Sequence, residues 1–243
     1  MTPCYCHLKG GLGNQLFQIA AAWAHCKRNN YDLRLQQNIG GRGSYWHSFL
    51  HMFAKNVGEP TDGPQWAEPR FSYTPIPPSA QKLHGYYQSS RYFAEYADEF
   101  RQLFKSGPPL SSNVCVIHIR LGDYFRGTNK TLHGILTPSY YERAMAAMGD
   151  KEFLIYSDDI IMCREMPFLQ GKNITFVDEP DDSAALHQMS QAPNIIMSNS
   201  TFSWWAVFLG VPKRVIAPDR WFGLRGPQDT QDIYEPSWEK IAV

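Results

Sequence analysis

Short β-branched runs alternate with longer amphipathic stretches along the chain, most regularly after residue 113. The stretch 113–124 reads NVCVIHIRLGDY, and Val114, Cys115, Val116, Ile117 and Ile119 give it the apolar run of a strand buried on both faces. Thr137-Pro138 then starts a helix through Tyr140–Met148, a capping residue followed by proline at the first helical position. Strands are predicted at 152–156, 173–177, 194–197 and 214–217, the last clear one. Between them the pattern places helices at 159–166, from a Ser183 cap to Gln191, and at 202–209. Nearer the N-terminus, 4–8 reads as a strand, followed by the glycine turn GGLGNQ at 10–15. A helix to about Arg28 follows, with Leu16, Ile19, Ala20 and Trp23 at helical spacing, and then a second strand at 32–36. Residues 40–78, rich in Gly, Pro and aromatics, read as an irregular covering segment. A strand at 82–88 leads into an amphipathic helix at 89–104, with Tyr92, Phe93, Tyr96, Phe100 and Phe104 on its apolar side. The Pro/Gly break Ser106-Gly107-Pro108-Pro109 divides the chain into domains 1–107 and 108–243. Strands alternating with helices imply an α/β chain with mostly parallel, doubly wound sheets.

Composition narrows the chemistry. Basic and acidic residues both number 23 in 243, so no bulk field favours nucleic acid or an anionic membrane, and any anion site is local. Aromatics reach 14%, including seven Trp, which suits a carbohydrate-handling protein and an ordinary core equally. The five cysteines are odd in number and sit in apolar segments, which fits buried thiols; Cys4 and Cys6 lack the second pair that a zinc site needs. The N-terminus lacks a basic region followed by an apolar one, and no apolar run approaches about 18 residues. The expectation is a cytoplasmic protein, in which the sequons at Asn129, Asn173 and Asn199 arise by chance.

Three polar clusters fall at predicted strand ends: His118, Arg120 and Asp123; Ser157, Asp158 and Asp159; and Ser198 to Ser203. Parallel strands bring such ends to one rim, where ligands of open α/β sheets bind. A desolvated arginine there calls for an anion, and phosphate is a natural guest; a structural Arg120–Asp123 pair is the alternative. Ser198-Asn199-Ser200-Thr201 opens a helix whose free N–H groups and dipole suit phosphate, or it simply supplies an N-cap. In the glycine turn, Leu16 stands where a dinucleotide fingerprint needs a third glycine. Gly11 and Gly13 instead allow close backbone approach to a ligand, with the Asn14 and Gln15 amides at the helix start.

GGLGNQLFQIA at 10–20, GYYQSSRYF at 85–93, HIRLGDY at 118–124, YSDD at 156–159, SNSTFSWWA at 198–206 and VIAPDRWF at 215–222 together resemble family 11 glycosyltransferases, in particular the GDP-fucose-dependent α-1,2-fucosyltransferases. The resemblance runs across nearly the whole chain. It implies a GT-B-like architecture of two Rossmann-like domains, the first on the acceptor side and the second binding GDP-fucose. It further implies inverting transfer to a galactose hydroxyl of a glycan, with no cofactor and no metal; the chain has no Asp-x-Asp, the usual metal–diphosphate handle of the GT-A enzymes. Carried onto these positions, it gives Arg120 the leaving β-phosphate and Asn14 the positioning of fucose or phosphate, with Asp123 or His118 as candidate bases. Donor contacts are expected at Gly11, Gly13, Gln15, Arg120, Ser157, Asp158, Asp159, Asn199, Ser200, Thr201, Phe202 and Ser203. The family pattern HxRRxD has a second arginine where this chain has Leu121, which leaves a catalytically silent GDP-sugar or glycan-binding protein as the rival reading, beside a fucosyltransferase of another linkage.

Overall fold

The structure, a computed structural model, describes residues 1–36, 45–104, 107–122, 129–171 and 173–243. The chain forms two compact units: Met1–Lys105 with Asp229–Tyr234, and Ser106–Gln228 with Glu235–Val243. The return of 229–234 to the first unit breaks the contiguous 108–243 expected from the Pro/Gly break.

The first unit holds a four-stranded parallel sheet built from β1 (Thr2–Cys6), β2 (Tyr31–Leu35), β3 (Gln65–Ala67) and β4 (Lys82–His84), in the order β2-β1-β4-β3. Helix α1 (Leu12–Asn29) crosses from β1 to β2 and buries Leu12, Leu16, Phe17, Ile19, Ala20 and Ala24. Its last turn carries Lys27 and Arg28, where cations oppose the negative end of the helix dipole, and these pair with Glu99 and Glu95. The expected helix at 89–104 is instead two 3₁₀ turns, Ser90–Tyr92 and Ala94–Tyr96, leading into a short α2 (Ala97–Gln102). The Ser89 hydroxyl accepts from Arg91 N–H and sets the first turn, while Tyr96 and Phe100 pack edge-on against Trp23 of α1. β3 lies within the segment expected to be irregular, and β4 ends at His84, short of the predicted 88.

The second unit holds six parallel strands: β5 (Val114–Ile119), β6 (Glu152–Ser157), β7 (Ile174–Phe176), β8 (Asn194–Ile196), β9 (Arg214–Pro218) and β10 (Glu239–Ile241). Their order is β10-β9-β8-β5-β6-β7, which grows outward from β5 in one direction and then restarts beside it in the other. That is the doubly wound pattern, with its reversal between β5 and β8. The helices are α3 (Asn129–His133), α4 (Pro138–Met148), α5 (Ile160–Arg164), α6 (Asp182–Ser190) and α7 (Thr201–Gly210). Asp181, not Ser183, caps α6 by accepting from the Ser183 and Ala184 N–H groups. α7 is apolar nearly all round and is buried accordingly, with Trp204, Trp205, Val207 and Phe208 inside and Trp204 meeting Trp238 edge-on. All six residues of β5 are buried, so it forms the spine of this core. The five cysteines are buried and unpaired. Among the described residues, no helix is long and apolar enough to cross a membrane.

Candidate active site

The carboxyl ends of the two sheets carry different chemistry. In the second unit, β5 delivers Arg120 just beyond its last residue, one step past the deeply buried Ile119. The Arg120 Nε lies 3.2 Å from Asp158 Oδ2, and Asp158 Oδ1 accepts from the Leu121 N–H at 2.8 Å. Among the described residues, Asp158 at the end of the neighbouring β6 pairs with Arg120. Asp123, the partner considered from sequence, lies outside the described residues. Gly122 makes this arrangement possible: a Cβ there would stand 2.2 Å from Asp158 Oδ2, well inside contact distance. The charge-assisted contact with the carboxylate orients the guanidinium.

Asp159 plays a local part. Its carboxylate accepts from Met162 N–H at 3.0 Å and caps α5, while its own N–H donates to Ser157 Oγ. On the other side of the reversal, Ser200 caps α7 by accepting from Phe202 N–H at 3.2 Å. Thr201, Phe202 and Ser203 thus form the first turn of a ten-residue helix beside the end of β5. Asn199 is almost fully buried, and its NH₂ group faces the carbonyls of His133, Gly134 and Trp221 at 2.7–3.1 Å. Its side chain thus ties the turn before α7 to the backbone at 133–134 and at Trp221.

His118 is 3% exposed, and its Nδ1 lies 2.8 Å from Ser198 Oγ; Ser203 Oγ in turn donates to the Ser200 or Ser198 carbonyl, each 3.1 Å away. Burial, reinforced by the Arg120 charge, pushes its pKa down to about 3. The ring is a neutral strut joining β5 to the turn before α7. Leu121 is 4% exposed and packs in the apolar cluster of Ile119, Leu136 and Tyr140, so it serves the core where the family pattern has a second arginine.

In the first unit the glycine turn is braced from inside. Gln18, which the sequence reading passed over, accepts from Lys9 N–H at 2.9 Å and donates to the Lys9 carbonyl at 3.2 Å. Gln15, expected at the donor, is fully buried and donates to the Gly10 carbonyl at 2.9 Å. Gly10 takes φ +82°, and a Cβ there would lie 2.5 Å from Asn14 Nδ2. Asn14 Oδ1 accepts from Gln88 Nε2 at 3.0 Å, which fixes the orientation of that amide. Gly11 sits at the N-cap and Gly13, buried, in the first turn of α1.

The profile described as Glycosyl transferase family 11 matches residues 61–242. An alpha-1,2-colitosyltransferase of Escherichia coli is 26% identical over 291 aligned positions, covering 99% of this chain and 98% of that protein. The O-antigen biosynthesis glycosyltransferase WbnK of Escherichia coli is 31% identical over 122 positions, 46% of this chain and 40% of that protein. Among solved structures, that of NodZ alpha-1,6-fucosyltransferase soaked with GDP-fucose aligns with a TM-score of 0.49 at 13% identity, over 93% of this chain and 97% of the other. With a family profile spanning about three quarters of its length, over β5 and the whole of the arginine rim, the chain belongs to glycosyl transferase family 11.

Proposed function

We propose that the protein transfers L-fucose from GDP-β-L-fucose to the 2-hydroxyl of a terminal galactose in a glycan, with inversion and without a metal. The observation that carries this reading is Arg120, held by Asp158 at the strand-order reversal beside the first turn of α7. As the C1–O bond breaks, positive charge grows on the sugar ring and negative charge on the departing GDP. A fixed guanidinium and a helix N-terminus aimed at the β-phosphate stabilise that leaving group without reorganisation. Nothing in this scheme needs His118 as a base, and a loose, dissociative path makes little demand on one.

Incubation with GDP-fucose and a panel of β-galactosides is expected to release GDP and give an α-1,2-linked product on linkage analysis. Arg120→Ala is expected to lower transfer on the order of 10²–10³-fold, as loss of one preorganised electrostatic donor does. Wild-type turnover in that variant removes Arg120 from the mechanism. Tight GDP binding without transfer to any acceptor replaces the proposal with a GDP-sugar-binding protein. A second reading rests on the relative aligned over the full chain, whose name gives colitose as the sugar moved. Colitose is L-fucose without its 3-hydroxyl, so competition between the two GDP-sugars for one acceptor separates the readings.

A further inference from the structure

His7 and His84 follow the ends of adjacent parallel strands: Tyr5 pairs with Lys82 and Cys6 with Leu83, and the His7 N–H donates to the Leu83 carbonyl. The next residues in that register, the two histidines, share one face of the sheet. Their rings stack with centroids 5.1 Å apart and planes 25° from parallel. The pair sits between the two central strands of the order β2-β1-β4-β3, at the carboxyl-end rim that receives ligands in open parallel sheets. Both side chains are part-exposed.

The contrast with the buried histidines is chemical. His25 Nε2 lies 2.9 Å from the Ala80 carbonyl, and His118 is held by Ser198. Among the described residues, no ring nitrogen of His7 or His84 has a hydrogen-bond partner. Burial first and then the Lys9 charge lower the His7 pKa, and burial, the His7 imidazole, Lys9 and Lys82 in that order lower that of His84, which favours neutral rings. A neutral imidazole carries one donor and one acceptor, so it can both give a hydrogen bond to an alcohol and take one from it. The Lys9 ammonium is turned over the exposed Tyr86 ring, 4.2 Å from its centroid. An anion would meet uncharged rings here. A metal ion is poorly served too, because lone pairs in near-parallel planes run side by side instead of converging. No group of three His, Cys, Asp or Glu able to hold a metal occurs among the described residues.

We propose that the stacked His7–His84 pair is the acceptor subsite, its two imidazoles receiving the hydroxyls of a neutral sugar ring at the rim of the four-stranded sheet. This rests on the glycosyl-transfer reading and adds to it the group that recognises the acceptor. The double variant His7→Phe/His84→Phe keeps two stacked rings and removes every ring nitrogen. It is expected to raise KM for the acceptor about tenfold or more, the loss of two neutral hydrogen bonds, with kcat and KM for GDP-fucose within about twofold. His84→Gln, which restores a donor and an acceptor, is expected to recover part of that loss. In the wild-type protein, imidazole NMR signals of His7 and His84 are expected to move on adding methyl β-galactoside, while those of His25 and His118 stay. Unchanged acceptor KM in the double variant overturns the proposal, as does a wild type whose His7 and His84 signals respond to zinc ion and not to the galactoside. A wild type that moves those signals with galactoside yet transfers no sugar retains this subsite and removes the fucosyl-transfer reading. A wild type that transfers sugar without any imidazole response removes this subsite alone.

Discussion

Both sheets are parallel and gather polar residues at the carboxyl ends of their central strands, and the two rims use the same backbone device for opposite chemistry. Between β5 and β8 the sequence supplies a cation and then constrains it: Arg120 is held by Asp158, Asp158 by the Leu121 N–H, and the nearby imidazole is sealed and bonded. Between β1 and β4 it supplies amides and neutral rings: Gln15 and Gln18 brace the turn, and His7 and His84 stack without hydrogen bonds. A charged site must be internally paired to bear desolvation, whereas a site for hydroxyls keeps donors and acceptors available. The rim fixes where a ligand goes; the residues at the strand ends fix what kind.

That contrast can be broken at several points. The largest expected effect is on the support beneath the arginine rim. Trp204→Ala, which empties a fully buried site on α7, should cost about 3–5 kcal/mol in denaturant unfolding. A loss under about 1 kcal/mol would mean that α7 does not depend on that packing. Next comes the brace itself. Gly122→Ala should lower transfer about tenfold or more with unchanged circular dichroism, because the added methyl displaces the carboxylate that orients Arg120. Asp158→Asn should act in the same direction, and normal turnover in both would detach Asp158 from the mechanism. The most gradual effect is in the acid limb of stability. His118 has a folded pKa of about 3, below its value in the unfolded chain, so the unfolded chain takes up the proton first as pH falls. Stability should therefore drop by roughly 1 kcal/mol per pH unit between about pH 6 and pH 3 on account of this group. His118→Gln should flatten that slope while leaving the rim of the four-stranded sheet unaffected. An unaltered slope would show that His118 is not the neutral strut described.

Much of the scaffold was legible because burial on both faces leaves a strong mark. β5 reads as an apolar run since neither face meets water, and α1 reads from its 3.6-residue period. The misses are elements whose cause is elsewhere in the chain. β10 is three residues at a sheet edge, two of them exposed, and its sequence carries no alternation to detect. The aromatic stripe at 92–104 has helical spacing, yet packing of its rings against Trp23 is satisfied by 3₁₀ turns. At the sites, residue types were legible and partners were not. Nothing local points Arg120 towards Asp158, 38 positions away and brought near by strand pairing, when Asp123 lies three positions along. His7 and His84 become neighbours only through the register of β1 and β4, and Asn199 declares its three carbonyls only once the turns are folded.

The segment Asp229–Tyr234 gives the order of synthesis a consequence. Its Asp229 accepts from the Ser72 N–H, and Asp232 accepts from the Tyr73 N–H and pairs with Arg91. A ribosome releases the first unit's sheet well before these six residues, with residues 106–228 made in between. The first unit thus waits for its strap until most of the second has emerged, and no contiguous fragment carries the whole of the first unit without the bulk of the second.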